Sequence, residues 1–489
     1  MLIPILHALA LLAVQGATAQ PAAAPQQSAD ARPPILAELS KESRQCIKCH
    51  KSEQPALYQQ WGSSKHYRAN VGCYECHKAT EGEPDAFEHL GVWISTIVSP
   101  RDCARCHEHE VAEFEDSHHA KGARILGSLD NTLAEVVEGN SRMVTDSFPQ
   151  GVSAAAVNGC WQCHGSQVKV LKDGHLDPAT WPNSGIGRIN PDGSEGSCTA
   201  CHQRHEFSAA QARHPDTCGK CHLGPDHPQK EIYEESKHGI SFFANVEHMN
   251  LDNEKWVAGE DYYAAPTCAT CHMSATRTQR VTHDIGMRIS WNNRPAVSVR
   301  PEVSDAKMNL PGKDVPWDKR RANMQEVCKS CHNQNWVDNF YVQYDSLIEL
   351  YNEKYAKPGL ALYELAKPLK KPVEFSNKVD FSWYEIWHHQ GRRARHGVSM
   401  MGPDYTHWHG TYEVAKAFYA EYIPELEELA EKGAASGDPA KVEAAKKLRA
   451  KLDEVLNSAD HRWYINKMDP EEAARRAKAT EDFRKRYQK

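Results

Sequence analysis

The cysteines and half the argument about function sit in one short pattern. All sixteen cysteines fall into eight Cys-x-x-Cys-His pentads. They are Cys46, Cys49 and His50; Cys73, Cys76 and His77; Cys103, Cys106 and His107; and Cys160, Cys163 and His164. The other four are Cys198, Cys201 and His202; Cys218, Cys221 and His222; Cys268, Cys271 and His272; and Cys328, Cys331 and His332. This is the attachment signature of c-type haem. Two thiols form thioethers with the porphyrin, and the adjoining imidazole binds the iron. A zinc site built from paired Cys-x-x-Cys halves would not need histidine after every second cysteine. A disulfide framework would not impose the fixed gap. The residues therefore specify eight covalently bound haem c groups, with no thiol left over.

Of the 27 histidines, eighteen lie outside both the pentads and the first nineteen residues, enough to supply a second axial ligand to every iron. A pattern aromatic-x-x-Ser-x-His occurs three times, as Trp61/Ser64/His66, Phe114/Ser117/His119 and Tyr233/Ser236/His238. Its recurrence marks His66, His119 and His238 as distal ligands. To these we add His89, His227, His283 and one of the pair His388–His389, with His389 assigned. Seven distal ligands for eight irons is the number wanted if one iron is open to substrate, but the count alone does not decide this. The histidine count is also compatible with eight closed irons, which would make the chain an electron conduit.

The elements that must hold these groups divide the chain in two. Residues 41–336 carry every pentad, separated by stretches rich in Gly, Pro and Asp, and should form a loop-rich haem-binding domain with short helices. About one haem per 60 residues supplies much of the apolar interior, which suits a chain only 40% hydrophobic. Residues 337–489 change character. Segments 337–356, 381–399 and 411–435 have helical periodicity, 438–458 is helical behind Gly437-Asp438-Pro439, and 469–489 begins on Asp469-Pro470. The fold class is mainly α, a haem-packed N-terminal part with a long-helix C-terminal part for packing or subunit assembly. Residues 1–19 read as a signal peptide ending Ala17-Thr18-Ala19, and 20–40 as a flexible leader. No later stretch suits a transmembrane helix, and no basic, aromatic-interleaved patch suits nucleic acid in a chain of net charge −7. A periplasmic location is expected.

Three stretches resemble the octahaem hydroxylamine oxidoreductases of nitrogen metabolism: Cys218–Pro228, Ala265–Thr276 and Trp387–Arg395, with the fifth and sixth pentads close together. The resemblance covers roughly residues 40–425. It implies that the haem of Cys160, Cys163 and His164 is catalytic and five-coordinate. It implies also that Tyr405, within Met400-Met-Gly-Pro-Asp-Tyr-Thr-His-Trp-His-Gly, bonds to this porphyrin from a neighbouring subunit, in a homotrimer. Gly402-Pro403 would turn the chain there; the alternative is an interface tyrosine with a satisfied hydroxyl. Asp192 and His205 resemble the family's acid–base pair, although Asp192 could start a turn and His205 could be a distal ligand. The function implied is oxidation of hydroxylamine to nitric oxide or nitrite, with electrons passing through seven bis-histidine haems to a cytochrome c. Hydrazine dehydrogenation shares the scaffold. Reduction of nitrite or hydroxylamine is the expectation if Tyr405 is not cross-linked.

Overall fold

The computed structural model describes residues 38–488, apart from 128–135, 137, 138, 140, 141, 158, 309 and 311–314. The expected signal peptide, and all but the last residues of the expected leader, lie outside the described residues. Helix dominates, and the described strands form two antiparallel hairpins. In the first, Ala86–His89 pairs with Val92–Ser95. Leu90 and Gly91 both take positive φ (54° and 81°), as a tight two-residue turn between right-twisted strands requires. This hairpin fixes His89 at a strand end.

Up to residue 335 the helices are short and interrupted. The longest before the eighth pentad are Lys41–Glu53 and Trp317–Lys329, each thirteen residues. Beyond that the chain changes, as its periodicity led us to expect. Gln334–Tyr351 and Lys357–Ala366 flank a π-helical stretch, Asn352–Ala356. Lys378–Tyr384 and Gly391–Ser399 flank another, Glu385–Gln390. Two more, His407–Tyr412 and Phe418–Tyr422, interrupt the helix that ends in Ile423–Ala434. Each inserts an extra residue per turn, a feature frequent near functional sites.

Pro439–Asn457 starts where Asp438 accepts from the amide of Ala440. Pro470–Tyr487 starts where Asp469 caps Glu471 and Glu472. The largest apolar core lies among these C-terminal helices, around Tyr351, Trp383, Phe418, Tyr422, Leu426 and Leu448. Gly359 is required there: a Cβ would come within 2.4 Å of the Trp383 ring. The N-terminal part holds smaller clusters, such as Ile47, Tyr58, Trp61 and Tyr67. Among the described residues no helix is long and apolar enough to cross a membrane.

Candidate haem and catalytic site

Each pentad is essentially one helical turn. The amide of the histidine reaches the carbonyl of the first cysteine at His107–Cys103 (2.9 Å), His164–Cys160 (2.9 Å), His202–Cys198 (3.0 Å), His222–Cys218 (3.0 Å) and His332–Cys328 (2.9 Å). Residues i, i+3 and i+4 of such a turn share one face. The spacing therefore delivers both thiols and the imidazole to the same side.

The serine of the aromatic-x-x-Ser-x-His pattern breaks the helix rather than riding along it. Ser64 and Ser236 donate back to the carbonyls of Trp61 (2.6 Å) and Tyr233 (2.7 Å). Their hydroxyls then accept from the amides of Tyr67 (3.0 Å) and Gly239 (3.2 Å) in the next helix. The serine is thus an N-cap, and the histidine two residues on sits in the first turn of a new helix. Ser64, Ser117 and Ser236 are all buried.

An iron held by one nitrogen from each of two imidazoles needs ring centres about 6 Å apart, given metal–nitrogen bonds of about 2.0–2.1 Å. His66–His107, His119–His222 and His238–His332 are each separated by 6.1 Å. His50–His89 are 6.4 Å apart, His77–His205 6.3 Å and His202–His283 6.5 Å. Six of the eight pentad histidines therefore face a second histidine across a gap of the required width. His77 Nδ1 donates to the Ser95 carbonyl at 2.8 Å, which leaves its other nitrogen free to bind metal. The Nδ1 atoms of His66, His222 and His272 are buried without a hydrogen-bond partner. The residues present fit haem c.

The pentads also neighbour one another. Thiols lie within hydrogen-bond reach at Cys103–Cys198, Cys163–Cys221 and Cys218–Cys268. Cys46 and Cys73, Cys76 and Cys103, and Cys271 and Cys328 interact electrostatically. The fourth pentad thus stands against the sixth, from which others continue in both directions.

Among the described residues, His164 and His272 face no second ring. Behind His164 the backbone is packed to contact. Gly187 N donates to the His164 carbonyl at 3.1 Å, and Ile186 N to the Cys163 carbonyl at 2.9 Å. A Cβ on Gly187 would lie 2.4 Å from the amide nitrogen of Gly122. Around His164 stand charged groups from two segments, with His227, Asp226 and Arg294 all interacting with it electrostatically. His272 interacts in this way with Arg288, His119 and His222, and no carboxylate is among its partners.

Asp226 is the hub of this cluster. Its Oδ1 is bonded by His227 Nδ1, its Oδ2 by Arg392 at 3.1 Å, and His388 Nε2 lies 3.8 Å from Oδ2. Burial would raise the Asp226 carboxyl, but the His227 hydrogen bond and the charges around it hold it well below the usual range. Burial would lower His227, but Asp226 outweighs this and raises it. Burial, reinforced by Arg392, pushes His388 down to about 3. It is an uncharged, buried imidazole stacked on Tyr384 at 4.3 Å.

The expected site residues meet different fates. His227 was expected as a distal ligand, yet both its nitrogens are engaged, Nδ1 by Asp226 and Nε2 by the Cys221 carbonyl at 2.9 Å. Although its ring is 6.2 Å from His222, it has no lone pair to offer there, and His119 does. His389 lies beside Tyr384 and His388 and faces no pentad histidine.

Asp192 and His205 do not form a pair. Asp192 closes a turn, its carboxylate accepting from Ser99 Oγ (2.7 Å), Ser194 Oγ (2.6 Å) and Ser194 N (2.9 Å). His205 faces His77. Tyr405 lies in the short helix Pro403–Thr406, partly buried, its amide donating to Glu235 at 3.3 Å and its ring against His409. Asp226 was missed because it precedes a histidine that was itself claimed for iron.

Residues 186–357 match a family model described as seven times multi-haem cytochrome CxxCH, and residues 15–78 one described as cytochrome c554 and c-prime. A probable nitrite reductase–hydroxylamine oxidoreductase fusion protein of Kuenenia stuttgartiensis is 26% identical over 336 residues, 60% of this chain and 35% of that protein. The chain thus spans about a third of that relative's length. Among solved structures, a hypothetical multihaem protein superposes with a TM-score of 0.68 at 27% identity, covering 82% of this chain and 97% of that one. A reducing HAO-like protein complex of Kuenenia stuttgartiensis shares the fold, with a TM-score of 0.54 at 18% identity over 81% and 86% of the two chains. The chain is a mainly helical multihaem c-type cytochrome, related to proteins named for nitrite reduction and hydroxylamine oxidation.

Proposed function

We propose that this multihaem cytochrome is a redox enzyme for small nitrogen compounds, oxidising hydroxylamine to nitric oxide or nitrite at the haem of Cys160, Cys163 and His164. The observation that carries the reading is the contrast among pentad histidines. Six face a second imidazole; of the two that face none, His164 and His272, His164 is the one acted on by the Asp226–His227 pair and Arg294. When bound, the haem supplies an iron that takes a nitrogen lone pair and passes single electrons to neighbouring haems.

The chain's own residues handle the protons. Oxidation removes protons from the substrate nitrogen and oxygen, and each needs an acceptor in reach. Asp226 holds a proton on its Oδ1 side through His227 Nδ1. Its Oδ2 is kept anionic by Arg392. Held charged by Asp226, His227 is the group placed to exchange protons with the site, while His388 stays uncharged beside Oδ2. Cys163 packs against the sixth pentad, so haems held by these two pentads and by the paired histidines would offer electrons a route towards a cytochrome c. His389, His205 and Asp192 have no part in proton transfer in this account; His205 and the five other paired histidines serve as distal ligands.

Direction rests on Tyr405. Its segment exposes Met401 (51%), Trp408 (57%) and Tyr412 (51%), an aromatic surface suited to a neighbouring copy and to the homotrimer. A bond from Tyr405 to a haem held there would draw electron density away from the iron's ligand and so would favour oxidation. The second reading is reduction of nitrite or hydroxylamine; the name of the Kuenenia stuttgartiensis fusion protein holds both a nitrite reductase and a hydroxylamine oxidoreductase and so accommodates either direction. Mass analysis of the haem peptide spanning Cys160–His164 decides between them. Oxidation requires the Tyr405 segment attached through the porphyrin, and a peptide carrying thioethers alone supports reduction. Export to the periplasm, by the expected signal peptide, follows from where haem c is attached.

A further inference from the structure

Several buried or half-buried arginines of this protein have an obvious partner. Arg392 meets Asp226 at 3.1 Å, Arg321 meets Asp345 at 2.6 Å, Arg393 meets Glu413 at 2.6 Å, and Arg320 meets Asp305 at 2.5 Å. Arg395 spends its donors on the carbonyls of Gly391, Pro295 and Trp387 and on Ser298.

Arg294 is different. Its Nε donates to the amide oxygen of Asn292 at 3.3 Å, and one terminal nitrogen to His118 Nδ1 at 3.0 Å. Both acceptors are neutral. Among the described residues no carboxylate forms an ion pair with it. A guanidinium has five N–H donors, and the remaining ones meet no acceptor among the described residues.

The group is nevertheless held in place from the interior. His118 Nε2 donates to Asp305 Oδ1 at 2.7 Å, and Asp305 is anchored by the fully buried Arg320. This fixes the His118 tautomer with a lone pair on Nδ1, so His118 can only receive from Arg294. The segment from His118 leads directly to Gly122, which packs on the His164 carbonyl. From the other side, Arg392 grips the Arg294 carbonyl at 2.9 and 2.7 Å while bonding Asp226. A partly desolvated cation with no direct ion pair, Asp305 acting on it only from beyond His118, favours the arrival of an anion. Its planar fork suits two oxygens on one small centre.

We propose that Arg294 is the anion-recognising residue of the site at His164, taking a small planar oxyanion of the nitrite class as substrate or product. The inference rests on the fourth haem being the open one, and is independent of the direction of the reaction. A haem propionate is the other anion of the right chemistry.

The test uses the full-length protein with its haems attached, oxidised. Nitrite and, separately, uncharged nitric oxide are titrated while the haem absorption is followed, in the parent and in Arg294→Gln and Arg294→Lys. Haem content by mass and the melting temperature confirm that each variant is folded. Loss of charge-assisted hydrogen bonds predicts a nitrite dissociation constant raised about 10- to 100-fold in Arg294→Gln. A smaller rise is expected in Arg294→Lys, which keeps the charge but not the fork. Nitric oxide affinity should change less than about threefold in both. Equal changes for the two ligands, with a shifted spectrum before any ligand is added, would mean that Arg294 serves a propionate and overturn the proposal. Unchanged nitrite affinity would overturn it as well. A parent protein that binds neither ligand would overturn the open fourth haem, and the inference with it.

Discussion

Replacing Asp226 by asparagine keeps the shape of the side chain and removes its charge, and the structure lets the consequences be sized. The carboxylate bonds His227 on one oxygen and Arg392 on the other at 3.1 Å, with His388 at 3.8 Å. Its side chain is only 18% exposed. Each charge-assisted hydrogen bond contributes about 1.5–3 kcal/mol, and breaking a buried pair costs about 3–5 kcal/mol when the partner is stranded. Arg392 is not fully stranded, because it keeps two bonds to the Arg294 carbonyl. A loss of about 3 kcal/mol in stability is therefore expected. The catalytic effect should be larger than this would suggest, since a positioned acid–base group contributes about 10²–10⁴-fold. The assay is hydroxylamine-dependent reduction of a cytochrome c, with thermal melting and haem mass measured in parallel. The account predicts kcat reduced at least about 100-fold with every pentad loaded. A fully loaded Asp226→Asn protein with kcat within threefold of the parent would refute the assignment of Asp226 to proton handling.

Other perturbations give independent checks. His205→Ala should turn one low-spin haem high-spin, visible by electron paramagnetic resonance, because His205 faces His77 at 6.3 Å; lost activity with an unchanged spectrum would restore it as an acid–base residue. Gly187→Ala would place a Cβ 2.4 Å from the Gly122 amide nitrogen. It should weaken nitric oxide binding at the fourth haem at a stability cost of about 1–3 kcal/mol. Asp345→Asn removes the acceptor of two Arg321 bonds (2.6 Å each) and of Trp291 Nε1 (2.8 Å), at about 2–3 kcal/mol by chemical denaturation. Burial would raise the Asp345 carboxyl, but Arg321 and Trp291 outweigh it and hold it low. Its contribution is therefore present above the unfolded value of about 3.9 and fades as pH falls through the lower folded value. The stability gap between parent and variant should close in acid.

The pentads could be read from the sequence because their chemistry is local, two thioether-forming thiols and one ligating imidazole on one helical turn. The three repeat histidines could be read for a related reason. Their serine is a helix cap, and a cap imposes its own spacing. His89 and His283 also face pentad histidines as expected, yet nothing local separates them from His227, which has the same kind of surroundings in sequence. What distinguishes His227 is a carboxylate beside it and a carbonyl six residues back, both engaged only once the chain is folded.

Asp192 looked suitable because it stands near the fifth pentad in sequence, but two serines absorb it into a turn. The long C-terminal helices followed from their periodicity, whereas the four π-helical stretches within them did not, since a one-residue insertion barely alters a pattern of apolar positions. The environment of Arg294 was equally hidden, being made by Asn292, His118 and Arg392, which only the fold brings together.

The central claim is that one iron per chain is open and that it belongs to the fourth pentad. Titrating the oxidised protein with nitric oxide tests this directly, in the parent and in a Cys160→Ser/Cys163→Ser variant that cannot attach that haem. The account predicts one nitric oxide bound per parent chain and none per variant chain. Binding that survives in the variant would move the open iron elsewhere, to the haem of His272 first of all. No binding in the parent would make the chain an electron conduit.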